Sequence, residues 1–290
     1  MLWFHLPNCD GCYLKMDTNN ILRNKYNLLM YIVTGLNFLL HINYSKLSFT
    51  KPFSKIQLPP VTRNEIIAIV KSLKSTNSHG YDGISSKVLK TSLPFIISPL
   101  IYICNLSLWK GIFPSRLKYS QVIPLKKTKG KESKISNFQP ISLLSSLSKI
   151  FEKMIYNRLY DHISINNILS QVQFGFRKNL STEAASSNLI NSILHAFNDN
   201  LIFCDLTKAF DSVNHSFLLS KLEYYGITDH AFRLIKSYLV DRYQRVLIKD
   251  PHSTNYFSSW NKIKLGVPQG SILGPLLFLT FHWWYAWLYR

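Results

Sequence analysis

The chain has 290 residues, 47% of them hydrophobic, which is enough for one large domain or two smaller ones with a real core and removes any need for disulfide staples. Thirty-four Lys and Arg against fifteen Asp and Glu leave a formal charge of +19, the balance of a protein that sits on phosphate backbones or anionic membranes. Its four cysteines, Cys9, Cys12, Cys104 and Cys204, are scattered, and only the first two have a metal-like or redox-like spacing; with no second pair nearby, a reduced intracellular compartment (nucleus or cytoplasm) is expected rather than a zinc site.

The amino terminus has no positively charged lead running at once into an apolar stretch, so no secretory signal is expected. Residues 28–42, LLMYIVTGLNFLLHI, are short for a span and contain Asn37, which favours a buried helix. Residues 1–50 otherwise show no clear period and read as an amino-terminal extension. The first firm helix starts at Thr62: Thr-Arg-Asn-Glu makes a capping box to Glu65, and Ile66, Ile67, Ile69, Val70 and Leu73 supply the apolar face. After a turn at Gly80 to Gly83, helical stretches run from Ser85 to about Trp109, interrupted at Pro94 and closed by Gly111.

Tyr119 to Leu125 reads as a strand, followed by the flexible basic loop KKTKGKESK, Lys126 to Lys134. A helix is expected from about Ser146 to His162, with Leu147, Ile150, Phe151, Met154, Ile155 and Leu159 at helical spacing. Leu201 to Cys204 is a short strand that delivers Asp205 at its carboxyl end. Then come a helix from about Ser216 to Tyr225 ending at Gly226, and strands at 243–249 and 256–265. The last stretch, from Ser271 to Tyr289, is uncharged with Trp283, Trp284 and Trp287 near its end, the length of a tail anchor with an aromatic belt. Helices and strands alternate irregularly, so the expected class is α+β.

In FCDLTKAFDSV, a carboxylate at the end of a buried strand is a hard oxygen ligand for Mg²⁺, with Phe210 as a wall beside it; equally, Asp205 could cap the next turn and Phe210 belong to the core. Val-Pro-Gln-Gly at 267–270 presents a side-chain amide and a close-approach glycine, suited to packing beside a nucleotide or to an ordinary turn. Lys126 and Lys127 at the end of a strand suit a triphosphate or a solvated face.

Six stretches in order, YDGISSKVLK, VIPLKK, NFQPISLLSSLSKIFEKMIYNRL, QFGFR, FCDLTKAFDSVNH and GVPQGSILGPLLF, resemble the reverse transcriptases of LINE-like, non-long-terminal-repeat retrotransposons of the jockey type, over roughly residues 52–279. The resemblance implies RNA-directed DNA polymerisation on a right-hand fold of fingers, palm and thumb. Residues 51–105 would then lead into the fingers and 106–290 hold the polymerase domain, with fingers, an incomplete palm and no thumb. By the same likeness Asp205 is the first metal-binding carboxylate and Mg²⁺ the cofactor; Phe210 is the aromatic gate against a ribose 2′-hydroxyl. Gln269 and Gly270 lie along the incoming nucleotide and template, Lys126 or Lys127 near its phosphates, and Phe174, Gly175 and Arg177 support the template. Asp211 holds the turn after the gate. Implied partners are an RNA template, a DNA primer and deoxynucleotides, and a membrane role is not expected, because the likeness explains half of the apolar tail as palm helix.

Two departures matter. Gln139 stands where the family carries an Arg that grips the triphosphate, keeping hydrogen bonding but losing the charge and the donor fork. The likeness ends within a few residues of Leu279, before a Tyr-x-Asp-Asp hairpin, and no Asp or Glu follows Asp250. A fragment with little or no activity of its own is therefore expected, or else a non-catalytic nucleic-acid-binding remnant.

Overall fold

The computed structural model describes residues 2–5, 13–16, 53–126, 137–169, 173–195, 205–206, 209–249 and 255–282. In chain order its elements begin with strands β1 (Leu2–His5) and β2 (Tyr13–Met16) and helices α1 (Arg63–Ser72) and α2 (Ser86–Lys110). A 3₁₀ turn at Ser115–Lys118 leads to β3 (Tyr119–Lys126), β4 (Phe138–Leu144), α3 (Ser146–Ile165) and α4 (Thr182–His195). Then follow β5 (Asp205–Leu206), α5 (His215–Tyr224), α6 (Asp229–Leu239) and β6 (Arg242–Lys249). The last elements are β7 (Asn255–Phe257), β8 (Asn261–Ile263) and α7 (Leu273–His282). Helices and sheets are mixed as the α+β expectation has it. The apolar run 28–42, the strand expected at 201–204, the Cys9–Cys12 pair and most of the lysine loop lie outside the described residues.

The chain divides into two compact units, residues 1–51 with 171–212 and residues 52–170 with 213–290. The first contains an antiparallel sheet in the order β1-β2-β5, with Lys15 opposite Asp205, and helix α4. The second is larger and contains the five-stranded sheet β4-β3-β6-β7, with β8 also on β6. There β3 pairs antiparallel with β4 and parallel with β6, while β7 and β8 share the far edge of β6, taking Leu247 to Lys249 and Arg242 to Gln244 respectively. The strand expected over 256–265 is therefore two strands, because the chain must leave the edge between them at residues 258–260.

The core of the second unit lies among its helices. Ile66, Leu89, Ile97, Ile150, Met154, Leu218, Leu234 and Leu277 are all essentially inaccessible to water. Helix α2 starts on the Ser85 hydroxyl, which accepts from Val88 N at 3.3 Å, and ends on Gly111 at φ 66°, where a Cβ would come within 2.8 Å of the His230 carbonyl. The expected break at Pro94 does not occur: α2 runs unbroken through Pro94 and Pro99. Both prolines lie on its exposed face, where solvent can take over the carbonyls they leave without a helical donor. Among the described residues α2 is long and apolar enough to cross a membrane; its inner stripe packs against α1, α3 and α6, while Phe95, Tyr102 and Trp109 on its outer face are exposed.

At the start of α1, the Thr62 hydroxyl accepts from Glu65 N at 3.2 Å as the capping pattern predicts. The reciprocal half of the box is absent, since the Glu65 carboxylate is taken by Arg158 of α3, with Nη1 and Nη2 donating at 2.7 and 3.1 Å. Arg158 is buried and also donates to the carbonyls of Pro59 and Met154, so it ties the entering chain and α1 to α3. Cys104 lies in the same interior, and burial lifts its thiol to about 12, so it is not a reactive thiolate at neutral pH.

Arg158→Ala is predicted to lower unfolding stability by about 3 kcal/mol, because it strands the Glu65 carboxylate and the Pro59 carbonyl at once. A urea midpoint close to that of the unmodified chain would contradict this.

Candidate active site

Five residues of the GVPQG stretch hold the turn that leads into α7, and each is fastened differently. Gly266 has φ +82°, a left-handed conformation that suits glycine; its N–H donates to Val213 O at 2.8 Å and its carbonyl accepts from His215 Nε2 at 2.7 Å. Val267 and Pro268 are buried. The Gln269 carbonyl accepts from Ser142 N at 2.9 Å, and Gly270, at φ +110°, passes so close that a Cβ would meet Ser142 O at 2.9 Å. Since β4 is the sheet edge, the turn covers the outward backbone groups of that edge strand.

Helix α7 then begins where Glu152 of α3 waits. Glu152 is fully buried, and its Oε2 accepts from Ile272 N at 2.7 Å and Leu273 N at 3.5 Å, while Oε1 accepts from Ser148 Oγ at 3.0 Å. Burial raises its pKa; the nearby Arg242 charge, the two backbone donors and Ser148 pull the other way. Arg242 is itself buried. Its Nη1 donates to Tyr238 O at 3.2 Å and its guanidinium lies 4.7 Å from the Tyr238 ring centroid, while Nε and Nη2 meet no acceptor among the described residues. At the other end of α7, Lys221 donates to the Phe281 carbonyl at 2.5 Å and lies over the Phe217 and Phe281 rings, and burial depresses its ammonium to about 8.

The second unit thus brings part of the expected site together. Gln139 and Lys126 are exposed at the end of the β3–β4 ribbon, where Leu125 faces Gln139 and Lys126 faces Phe138. Gln269 and Gly270 lie against Ser142 of the same strand, about 10 Å further along at strand rise. Lys127 lies outside the described residues.

The remaining expected residues belong to the first unit. Asp205 is the first residue of the two-residue strand β5. Phe174, Gly175 and Arg177 share one turn, in which Gln173 Nε2 donates to Gly175 O at 3.1 Å and Arg177 Nη1 reaches Gln173 O at 3.5 Å. Phe210 makes an edge contact with Phe176 at 5.7 Å, and Asp211 is exposed in the turn after it. Phe176 was not anticipated; it is exposed and left-handed at φ 60°, costly for a bulky residue. Also unanticipated were Ser142, Glu152, His215 and Lys221. Of these, Glu152 was legible, since it falls between Phe151 and Ile155 on the core face of a helix, where a lone carboxylate must find donors.

Among the described residues no group of three or more His, Cys, Asp or Glu is arranged to hold a metal ion. One carboxylate is an incomplete donor set for Mg²⁺, so the described residues do not by themselves make its site.

Residues 125–282, more than half of the chain, match the model of the family "Reverse transcriptase (RNA-dependent DNA polymerase)", and the chain belongs to that family. It is 37% identical over 236 residues to "Probable RNA-directed DNA polymerase from transposon BS" of Drosophila melanogaster, covering 78% of this chain and 25% of that one. To "RNA-directed DNA polymerase from mobile element jockey" of the same fly it is 31% identical over 235 residues, 79% of this chain and 25% of the relative. Within the family it is therefore of the LINE-like, jockey type, and it spans about a quarter of the length of these relatives.

Because folding lowers the Lys221 pKa from 10.5 to about 8, between those values the unfolded chain keeps a proton that the folded chain has released. Stability carried by this group therefore rises with pH across that window. Relative to Lys221→Met, the unmodified chain should gain stability between about pH 8 and pH 10, as read from denaturant midpoints; a constant difference would mean that Lys221 titrates normally.

Proposed function

We propose that this chain is the polymerising part of a retrotransposon reverse transcriptase, with an RNA template, a DNA primer and deoxynucleotides as its substrates. The observation that carries the reading is the Gln269–Gly270 turn lying on the edge of β4, on the ribbon that also presents Gln139 and Lys126, in a chain of this family. Gln269 and Gly270 line the nucleotide and template, and Lys126, Lys127 and Gln139 face the triphosphate. Phe210 excludes the 2′-hydroxyl, and Phe174, Gly175 and Arg177 support the template. Asp205 contributes one carboxylate towards the divalent ion that the family uses, Mg²⁺. Residues 51–105 lead into the fingers, and 106–290 hold fingers and palm. Nucleic-acid binding without polymerisation is the second reading; it is favoured by the +19 charge.

The 290-residue chain alone, given a primed RNA template, deoxynucleotides and Mg²⁺, should extend no primer above background. Joining a homologous segment that carries the Tyr-x-Asp-Asp hairpin and thumb after His282 should restore extension. In that longer chain Gln139→Arg should raise the rate and Asp205→Asn should abolish it. Activity of the longer chain that survives Asp205→Asn would overturn the site assignment.

Binding of the 290-residue chain to RNA or DNA of any sequence should weaken steeply as salt is raised, since each neutralised phosphate releases a counterion. Affinity that stays flat from low to moderate salt would count against both readings.

A further inference from the structure

Both polar groups of Gly266 are used by the segment that opens α5: Val213 takes its N–H and His215 holds its carbonyl. The residues on either side are fixed. Val213 is buried, Asn214 caps α5 with its side chain accepting from Phe217 N at 3.1 Å, and Leu218 and Leu219 seat the helix in the core. The imidazole therefore projects from a rigid first helical turn. Because its partner is a carbonyl, Nε2 carries the hydrogen of the neutral ring and Nδ1 is left as acceptor. Three residues beyond Gly266 lies Gln269.

Downstream of the turn other ties take over: Ser142 holds Gln269 from the sheet edge and Glu152 holds Ile272 and Leu273 from α3. Upstream, Val213 and His215 are the ties the structure gives to Gly266. With the Val213 bond alone, rotation about the Gly266 ψ torsion is resisted only through the packing of Val267 and Pro268 and the Ser142 bond further on, since glycine itself resists that rotation less than any other residue. The His215 bond stops it by fixing the direction of the Gly266 carbonyl, and so the path on which the chain enters Val267.

We infer that His215 is a positioning residue: its Nε2–H fixes the Gly266 carbonyl and thereby sets where Gln269 and Gly270 stand for the incoming nucleotide. This rests on the role proposed above for that turn. His215 itself touches no substrate in this scheme. Its loss should weaken nucleotide binding and leave the chemical step alone.

Two variants separate the bond from the bulk of the side chain. In His215→Gln the amide nitrogen can take the place of Nε2 and donate to the same carbonyl; in His215→Leu nothing can. In the 290-residue chain, hydrogen exchange of the backbone amides from Gly266 to Gly274 should quicken about tenfold in His215→Leu and return towards the original rate in His215→Gln, with helices α2 and α3 unchanged. In the longer, primer-extending chain, His215→Leu should raise the deoxynucleotide KM about five- to tenfold, the loss of one hydrogen bond, with kcat and the KM for primer-template unchanged, and His215→Gln should reverse most of the rise. Unchanged exchange in His215→Leu, or a Gln variant as poor as the Leu variant in both measurements, overturns the inference. So does a fall in kcat at constant nucleotide KM. If the unmodified longer chain extends no primer, the polymerase reading fails, while exchange still decides whether His215 holds the turn.

Discussion

A fully buried carboxylate set against the first N–H groups of a nearly all-apolar helix is the contact on which the arrangement of the larger unit depends. Helix α7 buries Leu273, Leu276, Leu277, Leu279, Thr280 and Phe281, so water cannot satisfy its opening amides. Glu152 satisfies two of them and places negative charge at the positive end of the helix dipole, while the Lys221 ammonium meets the Phe281 carbonyl near the negative end. Each charged group faces a helix end of opposite sign, which offsets part of what burial costs it.

From that helix outward, short motifs far apart in the chain meet because each supplies a backbone partner to another. The turn before α7 lies on β4; the YDG stretch lies on the junction after β4, where Gly80 comes so close that a Cβ would meet Ser145 N at 2.7 Å and Asp82 accepts from the Ser145 hydroxyl. Ser145 in turn accepts from Leu147 N at the start of α3, the helix that carries Glu152 and Arg158. One strand and one helix, β4 and α3, thus gather the residues at 80–85, 142–158 and 266–273. The glycines in these motifs are needed for close approach and for left-handed backbone as much as for any chemistry.

A polymerase needs its nucleotide pocket to be rigid before the substrate arrives, since positioning and preorganised charge supply most of phosphoryl-transfer catalysis. The turn at 266–273 is fastened by His215, Ser142 and Glu152, which suits the place in such a pocket proposed for it above. On the proposed reading, Gln139 at the exposed ribbon end would offer hydrogen bonds to a triphosphate but neither the charge nor the donor fork of an Arg.

Much of the framework was legible from residues alone. Apolar period and caps place α1, α3 and α5 within a few residues, the strand expected over 119–125 is β3 at Tyr119–Lys126, and the ordered motifs point to the family. What failed did so for identifiable reasons. A proline reads as a helix break, but its cost depends on whether solvent reaches the freed carbonyl, and that is settled by which face of α2 the core covers. Glu65 reads as half of a capping box, but Arg158, ninety-three positions away, competes for the carboxylate and wins. Helices α4 and α6 and the division of the last strand were likewise not foreseen. The sequence by itself determined which segments are apolar on which face, where helices can start, and which chemistry-bearing residues exist. Only the tertiary structure decided which polar group answers which. A buried donor or acceptor must be satisfied by whatever the packing brings near, and the pairings of Glu152 with α7, His215 with Gly266 and Ser142 with Gln269 have no local signature.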